Sequence, residues 1–351
     1  MTIHRPASPL TRRAMLAGLA SLIGLVGLTA GPVAAAVPSR RFRIYMVTFR
    51  GWTDTDRGFK DYLEANRVPV ELVVRDAKGD RSALPGIAAE IIREKPDLVY
   101  TWGTTASVEI LGPYDHPDPL RHVTTVPAVF ANVSDPMEAR LLPNGSGSGR
   151  NVAGSTYLVP METQIRTLRS YRPVARLAVI YSQAESNSRQ AVAEVRRLAA
   201  AGGFQVIERP ILTPAGEAPR ADQLPGLVAE VAAEKADFLY IPPDSFLSTH
   251  KKLLTAAALE ARLPTFAAAE GTLMGSDALM GLISRYYNIG KLTASLAQRI
   301  LVGGENPATM PLSTLSRYSL VLNIRVARAL GVYPPMRLLK ISDVVEDLVE
   351  K

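Results

Sequence analysis

From Arg43 onward the chain alternates short apolar runs with longer segments in which apolar residues recur every three or four positions. The first pattern reads as buried strand and the second as amphipathic helix. Their regular alternation predicts α/β architecture with parallel strands joined by crossover helices. RIYMVTF (43–49) is expected to be a strand, DRGFKDYLEAN (56–66) a helix, VELVVRDA (70–77) a strand and LPGIAAEIIREK (84–95) a helix. PDLVYTWG (96–103), a helix from Thr104 and the strand VPAVFANV (126–133) complete the series. The same order then repeats with strands RLAVIYS (176–182), FQVIERP (204–210), ADFLYIPP (236–243) and LPTFAAAE (263–270), separated by helices over 188–201, 222–235 and 247–261.

The halves also agree residue by residue. IAAEIIREKPDLVYTWGTTAS (87–107) overlays LVAEVAAEKADFLYIPPDSFL (227–247) without a gap, matching Ala89 with Ala229, Glu90 with Glu230, Glu94 with Glu234, Lys95 with Lys235, Asp97 with Asp237 and Tyr100 with Tyr240. Asp97 and Asp237 fall in a helix-to-strand turn, where aspartate is locally favoured, so the match points to a repeated fold and not to a site. Pro127 and Pro264 open the fourth strand of each half.

Between the halves, GSGSG (145–149) lacks the Gly-Lys-Ser/Thr of a phosphate loop and does not lead from a strand into a helix, so it reads as flexible. Residues 151–158 are expected to cross to a second lobe. After Glu270 a strand and a helix in DALMGLISRYYNIGKLTASLAQRIL are expected to return to the first lobe, and YSLVLNIRVARALGV (318–332) to cross back. Three crossings make a hinge. Lobe 1 is thus expected to hold residues 42–155 and 271–310, and lobe 2 residues 156–270 and 311–340.

Two such lobes place a cleft between them, and ligands of open parallel sheets bind outside the carboxyl ends of the strands, near helix N-termini. The polar residues at those ends are Arg50, Trp52 and Thr53; Thr104 and Thr105; Asn132 and Asp135; Ser182, Glu185, Ser186 and Asn187; Asp244; and Glu270. A carboxylate would be held at Thr104-Thr105 and Ser186-Asn187, and an ammonium would find Asp135, Asp244, Glu185 or Glu270. Each acid has a plainer alternative. Asp135 and Asp244 can start turns, and Glu185 can complete a capping box with Ser182. Trp52 either stacks on a planar ligand or packs under its loop. Of Tyr286 and Tyr287, one is core and Tyr287 is the one expected to face the cleft. Substituting Asp135 or Ser186 by alanine is expected to weaken binding with little loss of fold.

With 351 residues, 47% hydrophobic and 21% charged, the chain can form one large or two ordinary cores. The formal charge of +7 includes Arg5, Arg12 and Arg13 of a leader without acidic residues, so 7 − 3 = +4 remains beyond residue 36. There is no basic run, and a nucleic-acid partner is not expected. TRRAMLAGLASLIGLVGLTAGPVAAAV carries paired arginines, an apolar run, a helix-breaking Gly31-Pro32 and a small-residue cleavage site, which makes residues 1–36 an export signal. It is similar to the twin-arginine type, with Met15 and Ala17 at variant positions; a general secretory signal is the alternative. The apolar run before Gly31 is short for a retained bilayer span.

The absence of cysteine excludes disulfides, thiolate metal sites, a cysteine nucleophile and a lipid-modified N-terminal cysteine. The mature protein is therefore expected to be soluble in the periplasm. His4, His116, His122 and His250 have no metal-ligand spacing, there is no Gly-x-Ser-x-Gly elbow, and Ser276 has no paired base. Neither catalysis nor a metal or cofactor is expected.

GFKDYLEA, EKPDLVYTWGTTAS, PAVFANVSDP, NVAGSTYLVPMETQIRTLRSYRPVARLAVIYSQAESNS, YIPPDS and LVLNIRVARALGV, spread over about residues 42–335, closely resemble the substrate-binding proteins of ABC transporters in the family that includes tryptophan- and tyrosine-type binders. The resemblance implies a type I periplasmic-binding-protein fold, with two Rossmann-like lobes that close over a small solute and present it to a membrane permease driven by an ATPase. It implies ligand positions at Gly103 to Ala106, Asp135-Pro136, Ser182 to Ser188, Pro243-Asp244 and Glu270. Two features depart from the family pattern: Thr105 stands where proline is usual, and the connection GPYDHPDPLRHVTT (112–125) is longer. The expected partners are the solute and the permease and ATPase subunits, with the chain itself a monomer. A second reading is the same module used as a sensor feeding a membrane receptor.

Overall fold

The computed structural model describes residues 40–212 and 219–349, so the expected export signal lies outside the described residues. The first half runs β1 (Phe42–Thr48), α1 (Asp54–Ala65), β2 (Val70–Asp76), α2 (Leu84–Glu94), β3 (Leu98–Trp102), α3 (Gly103–Leu111), β4 (Ala128–Val133) and β5 (Val152–Thr156). The second half runs α4 (Met161–Tyr171), β6 (Arg176–Ser182), α5 (Ser186–Gly202), β7 (Gln205–Ile211), α6 (Leu224–Ala233), β8 (Phe238–Ile241), α7 (Ser245–Thr249), α8 (Lys251–Glu260) and β9 (Thr265–Ala267). The remainder is α9 (Glu270–Leu273), β10 (Met280–Ile283), α10 (Tyr286–Leu301), β11 (Ser319–Asn323), α11 (Ile324–Leu330), α12 (Met336–Leu339) and β12 (Ser342–Val345). Two sheets result, ordered β2-β1-β3-β4-β5 and β12-β11-β10-β9-β8-β6-β7. Each is covered by helices on both faces, the α/β arrangement that the alternating pattern predicts.

Strand alternation assigns the cores. Ile44 and Met46 point to the face of the first sheet that packs with Phe59 of α1 and Ile289 of α10, whereas Tyr45 and Val47 point to the face covered by Leu84 and Ile91 of α2 and Ile110 of α3. In the second sheet Leu177 and Val179 meet Leu168 of α4 and Val195 of α5, while Ala178 and Ile180 meet Val228 of α6 and Leu254 of α8. Among the described residues no helix is long and apolar enough to cross a membrane.

The internal repeat is a repeat of structural devices. The Asp97 carboxylate accepts a hydrogen bond from Arg43 N (2.8 Å) at the start of β1, and the Asp237 carboxylate accepts from Ala175 N (2.7 Å) and Arg176 N (2.8 Å) at the start of β6. Glu90 of α2 pairs with Arg75 of β2, as Glu230 of α6 pairs with Arg209 of β7. Lys95 and Lys235, just past those helices, both take left-handed backbone (φ 47° and 57°).

Three expectations change. Residues 152–156 do not simply cross: β5 pairs in parallel with β4 and completes the first sheet. The strand after Glu270 does not return to the first lobe: β10 pairs in parallel with β9 and antiparallel with β11, because Met280 and Leu282 belong to the second lobe's core. The return is made by α10, which packs on α1, and by the segment after it, in which Ser313 bridges Ser155 of β5 and Met310 joins the first lobe's core. The helix expected over 247–261 is two helices that meet at His250.

The return of α10 rests on glycine. A Cβ on Gly58 of α1 would lie 2.0 Å from Tyr287 O, and one on Gly290 of α10 would lie 1.9 Å from Thr55 O. The two backbones are therefore in contact where the helices cross.

Candidate ligand-binding site

The carboxyl ends of both sheets face one cavity. Lobe 1 supplies three adjacent strand ends. Arg50 follows β1, Trp102 ends β3 and leads directly into α3, and Asn132 lies within β4. The Arg50 guanidinium sits 4.9 Å from the Trp102 ring centre, a cation–π arrangement. Gly103 (φ 82°) makes the sharp turn from strand to helix, which brings Thr104 and Thr105 to the cavity at the start of α3. Thr104 Oγ1 accepts a hydrogen bond from Ser134 N (3.5 Å), and Ser134 Oγ lies 3.1 Å from the Tyr157 hydroxyl.

Lobe 2 supplies two turns. Glu185 precedes α5, and its carboxylate accepts from Ser245 N (2.9 Å) and Phe246 N (3.0 Å). Asp244 precedes α7; its Oδ1 accepts from Leu247 N (2.9 Å), and its Oδ2 from Ser182 N (2.9 Å) and Ser188 Oγ (2.6 Å). Burial, and next the nearby Asp244 carboxylate, hold the Glu185 carboxyl above its ordinary range. Asn187 donates its amide to Pro243 O (2.8 Å), joining the two turns. The crossing segments close the cavity with Tyr157 and Tyr286, whose rings meet edge to face at 5.6 Å. Burial raises the pKa of both phenols.

Of the residues singled out in the sequence, Arg50, Thr104, Thr105, Asn132, Glu185, Asn187 and Asp244 line this cavity. Trp52, Thr53, Glu270 and Tyr287 line a wider adjoining groove that shares Arg50, Ser248 and Tyr286 with it. Thr53 is occupied there: its N–H and hydroxyl both donate to Asp56 at 2.7 Å, fixing the start of α1. Trp52 is half exposed on the rim and is not packed under its loop. Glu270 is buried and spans the hinge, pairing with Arg285 (3.2 Å) and accepting from Tyr286 N; burial raises its pKa.

The remaining three face neither space. Asp135 uses Oδ1 to accept from Met137 N and Glu138 N, both at 3.1 Å, which makes it a turn residue. Ser182 is buried, and its Oγ accepts from Ala184 N (3.3 Å). Ser186 is exposed, because α5 starts there, two residues earlier than expected, and its first turn directs Asn187 inward instead. The capping box that was the plainer alternative for Glu185 does not form: its carboxylate caps α7 instead of its own helix. Tyr286 lines the cavity as well as the groove, while Tyr287 lines the groove alone and donates to Asp61 (3.1 Å) beside the cations of Arg57 and Lys291.

Trp102, Tyr157 and Tyr286 are cavity residues that the sequence pattern does not single out. For Trp102 a signal exists, since it is the last strand residue before the glycine that turns into α3.

The family model for ABC transporter substrate binding proteins matches residues 46–346. The tyrosine-binding protein of Clostridioides difficile (strain R20291) is 24% identical over 278 residues, 79% of this chain and 74% of that one. Among solved structures, the ABC domain from Streptococcus pneumonia in complex with L-Trp has a TM-score of 0.75 at 21% identity, covering 87% of this chain and 100% of its own. A conserved domain protein from Vibrio cholerae has a TM-score of 0.75 at 24% identity, over 87% and 99% of the two chains. A ligand-free, open substrate-binding protein with adhesive properties from Clostridium difficile has a TM-score of 0.66 at 24% identity, over 87% and 99%. These likenesses are to the type I periplasmic-binding-protein fold, and with a family match that spans most of its length the chain belongs to the ABC transporter substrate-binding protein family.

Proposed function

We propose that this protein is the extracytoplasmic, monomeric solute-binding component of an ABC importer, exported through its twin-arginine-like leader, closing over a small carboxylated solute such as an amino acid and delivering it to a permease and ATPase. The observation that carries this reading is the polarity of the cavity. Its cationic group, Arg50, comes from lobe 1, and its two carboxylates, Glu185 and Asp244, come from lobe 2. A zwitterion placed between them bridges the lobes and favours closure, since each end gains a partner only when both lobes are present. The relatives named for tyrosine and solved with L-Trp support an amino acid as the first candidate.

The test is a thermal-shift and calorimetry panel of the twenty amino acids and simple aromatic acids on the mature chain. A true solute at about 100 times its Kd stabilises the folded form by ~2.7 kcal/mol, which is a readily measured rise in Tm. A panel in which no acid stabilises the protein sinks the reading.

A further inference from the structure

Two uncharged donors in the cavity are left without partners. Trp102 Nε1 and Asn132 Nδ2 are buried and make no hydrogen bond, although both residues line the cavity. Trp102 and Asn132 are only 4% and 5% exposed. They share one face of the sheet: Asn132 follows Ala131, the register partner of Trp102, and its side chain reaches Thr55 of α1, the helix on whose side Trp102 also packs. The far side of the Asn132 amide is fixed: its Oδ1 accepts from Thr55 Oγ1 (3.1 Å), which leaves Nδ2 as the free end. Asn132 also holds φ 54°, a conformation uncommon outside glycine and tolerated best by asparagine and aspartate. Such backbone persists where the surroundings over-determine it, and it clusters at ligand sites.

The other polar groups of the cavity contrast with these two. Both oxygens of Glu185 and both of Asp244 already accept from lobe 2 donors. The free capacity of lobe 1 is thus donor capacity: the indole N–H, the amide N–H₂, the Arg50 guanidinium and the start of α3, which has no side-chain cap. A buried donor left unmade is costly and is recovered when an acceptor arrives.

We propose that Trp102 Nε1–H and Asn132 Nδ2–H form the seat of the solute's carboxylate, at the ends of β3 and β4, and so orient the solute with its acid end in lobe 1. This rests on the reading of the cavity as a solute site and adds the atoms that select the solute's chemical class. Solutes with a carboxylate satisfy both donors, with or without an ammonium group. An amine of the same shape without the carboxylate leaves both unmade, and sites built on hydrogen bonds reject such analogues strongly.

The experiment titrates the ¹⁵N-labelled mature chain with L-tyrosine, 3-(4-hydroxyphenyl)propionate and tyramine. The chain has two tryptophans, so two indole N–H resonances appear, and the one lost in Trp102→Phe identifies Trp102. Both acids are expected to move that resonance downfield and tyramine to leave it in place. Affinity for the acids is expected to fall about tenfold or more in Trp102→Phe and in Asn132→Leu. Acids that bind with the Trp102 resonance unmoved, or as tightly to both variants as to the parent, overturn the seat and leave the solute-binding reading standing. Tyramine binding as tightly as L-tyrosine overturns it too. If neither acid binds the parent, the seat is overturned, while the solute-binding reading stands or falls by the wider acid panel.

Discussion

Glu185 and Asp244 hold each other's turns. The Glu185 carboxylate caps the helix that Asp244 introduces, and the Asp244 carboxylate accepts from Ser182 N and Ser188 Oγ on either side of Glu185. Two acids are thereby fixed side by side at the lobe 2 face of the cavity by neutral donors, with their charges uncompensated by the lobe that carries them. A cleft that stores unpaired negative charge favours a cationic group when one enters.

That arrangement predicts a pH signature. Burial and the neighbouring carboxylate raise the Glu185 pKa above its ordinary value of 4.5, so the folded chain binds this proton more tightly than the unfolded chain does. The stability it contributes is fully present below the ordinary value and is lost as pH rises through the raised one. Glu185→Gln keeps the shape and removes the titration. The stability of the parent relative to Glu185→Gln, from urea denaturation at a series of pH values, should therefore fall as pH rises above 4.5. A difference that stays flat would show that the carboxyl is not perturbed.

The crossing of α1 and α10 admits no side chain. Gly58→Ala and Gly290→Ala each place a Cβ about 2 Å from a carbonyl oxygen of the opposite helix, and backbone oxygens cannot turn aside as a flexible side chain can. Each substitution should destabilise lobe 1 by about 1–3 kcal/mol through overpacking. Gly86→Ala, in α2 with nothing near its Cβ, is the control and should stabilise by about 0.5–1 kcal/mol. Equal midpoints for all three in chemical denaturation would contradict the close crossing.

Much of this architecture was legible because it is written locally. The alternation of buried and amphipathic segments identifies the strands, and the gap-free overlay of residues 87–107 on 227–247 reports the same Asp clamp and the same Glu–Arg pair in each lobe. The same pattern marks the strand ends, which is enough to indicate Arg50, Thr104 and Asn187. What a turn does with each side chain is a different matter, because it depends on the partner lobe and on where the helix starts. Ser186 and Asn187 are adjacent, yet one is exposed and the other joins the two turns of lobe 2. Trp102 reads as the last apolar residue of a strand, and only in the fold, with its ring under Arg50, does its buried N–H prove to lack a partner. Tyr157 and Tyr286 reach the cavity from the hinge, so no strand-end pattern could indicate them.

Asp135 and Ser186 give the corresponding negative prediction. Neither lines the cavity, so alanine at either position should leave solute affinity within about twofold, whereas truncating a cavity donor should not. Asp135→Ala removes two turn hydrogen bonds and should cost about 1 kcal/mol of stability; Ser186→Ala, on an exposed helix start, should cost less than about 0.5 kcal/mol. Calorimetry with whichever acid stabilises the parent separates the two effects. Strong loss of affinity in either variant would mean that the cavity described is not the one the solute uses.

Gly271 is where the hinge, both lobes and the groove beside the cavity meet. Its carbonyl accepts from Ser248 Oγ (2.8 Å), and a Cβ there would lie 3.0 Å from Arg50 Nη2, 3.0 Å from Ser248 Oγ and 3.1 Å from the Tyr286 hydroxyl. Arg50 comes from lobe 1, Ser248 from lobe 2 and Tyr286 from the crossing segment, so of the three contacts the one with Arg50 depends on the lobes being together. In an open arrangement, with the lobes apart, Arg50 would be withdrawn and that part of the crowding would lapse, leaving the Ser248 hydroxyl to turn aside. Gly271→Ala should therefore leave thermal stability without solute near that of the parent, weaken solute affinity by about tenfold, equivalent to ~1.4 kcal/mol, and reduce the compaction on binding seen by small-angle scattering. Loss of stability without solute, with affinity and compaction unchanged, would instead mean that Gly271 serves the fold alone and that closure does not bring Arg50 to it.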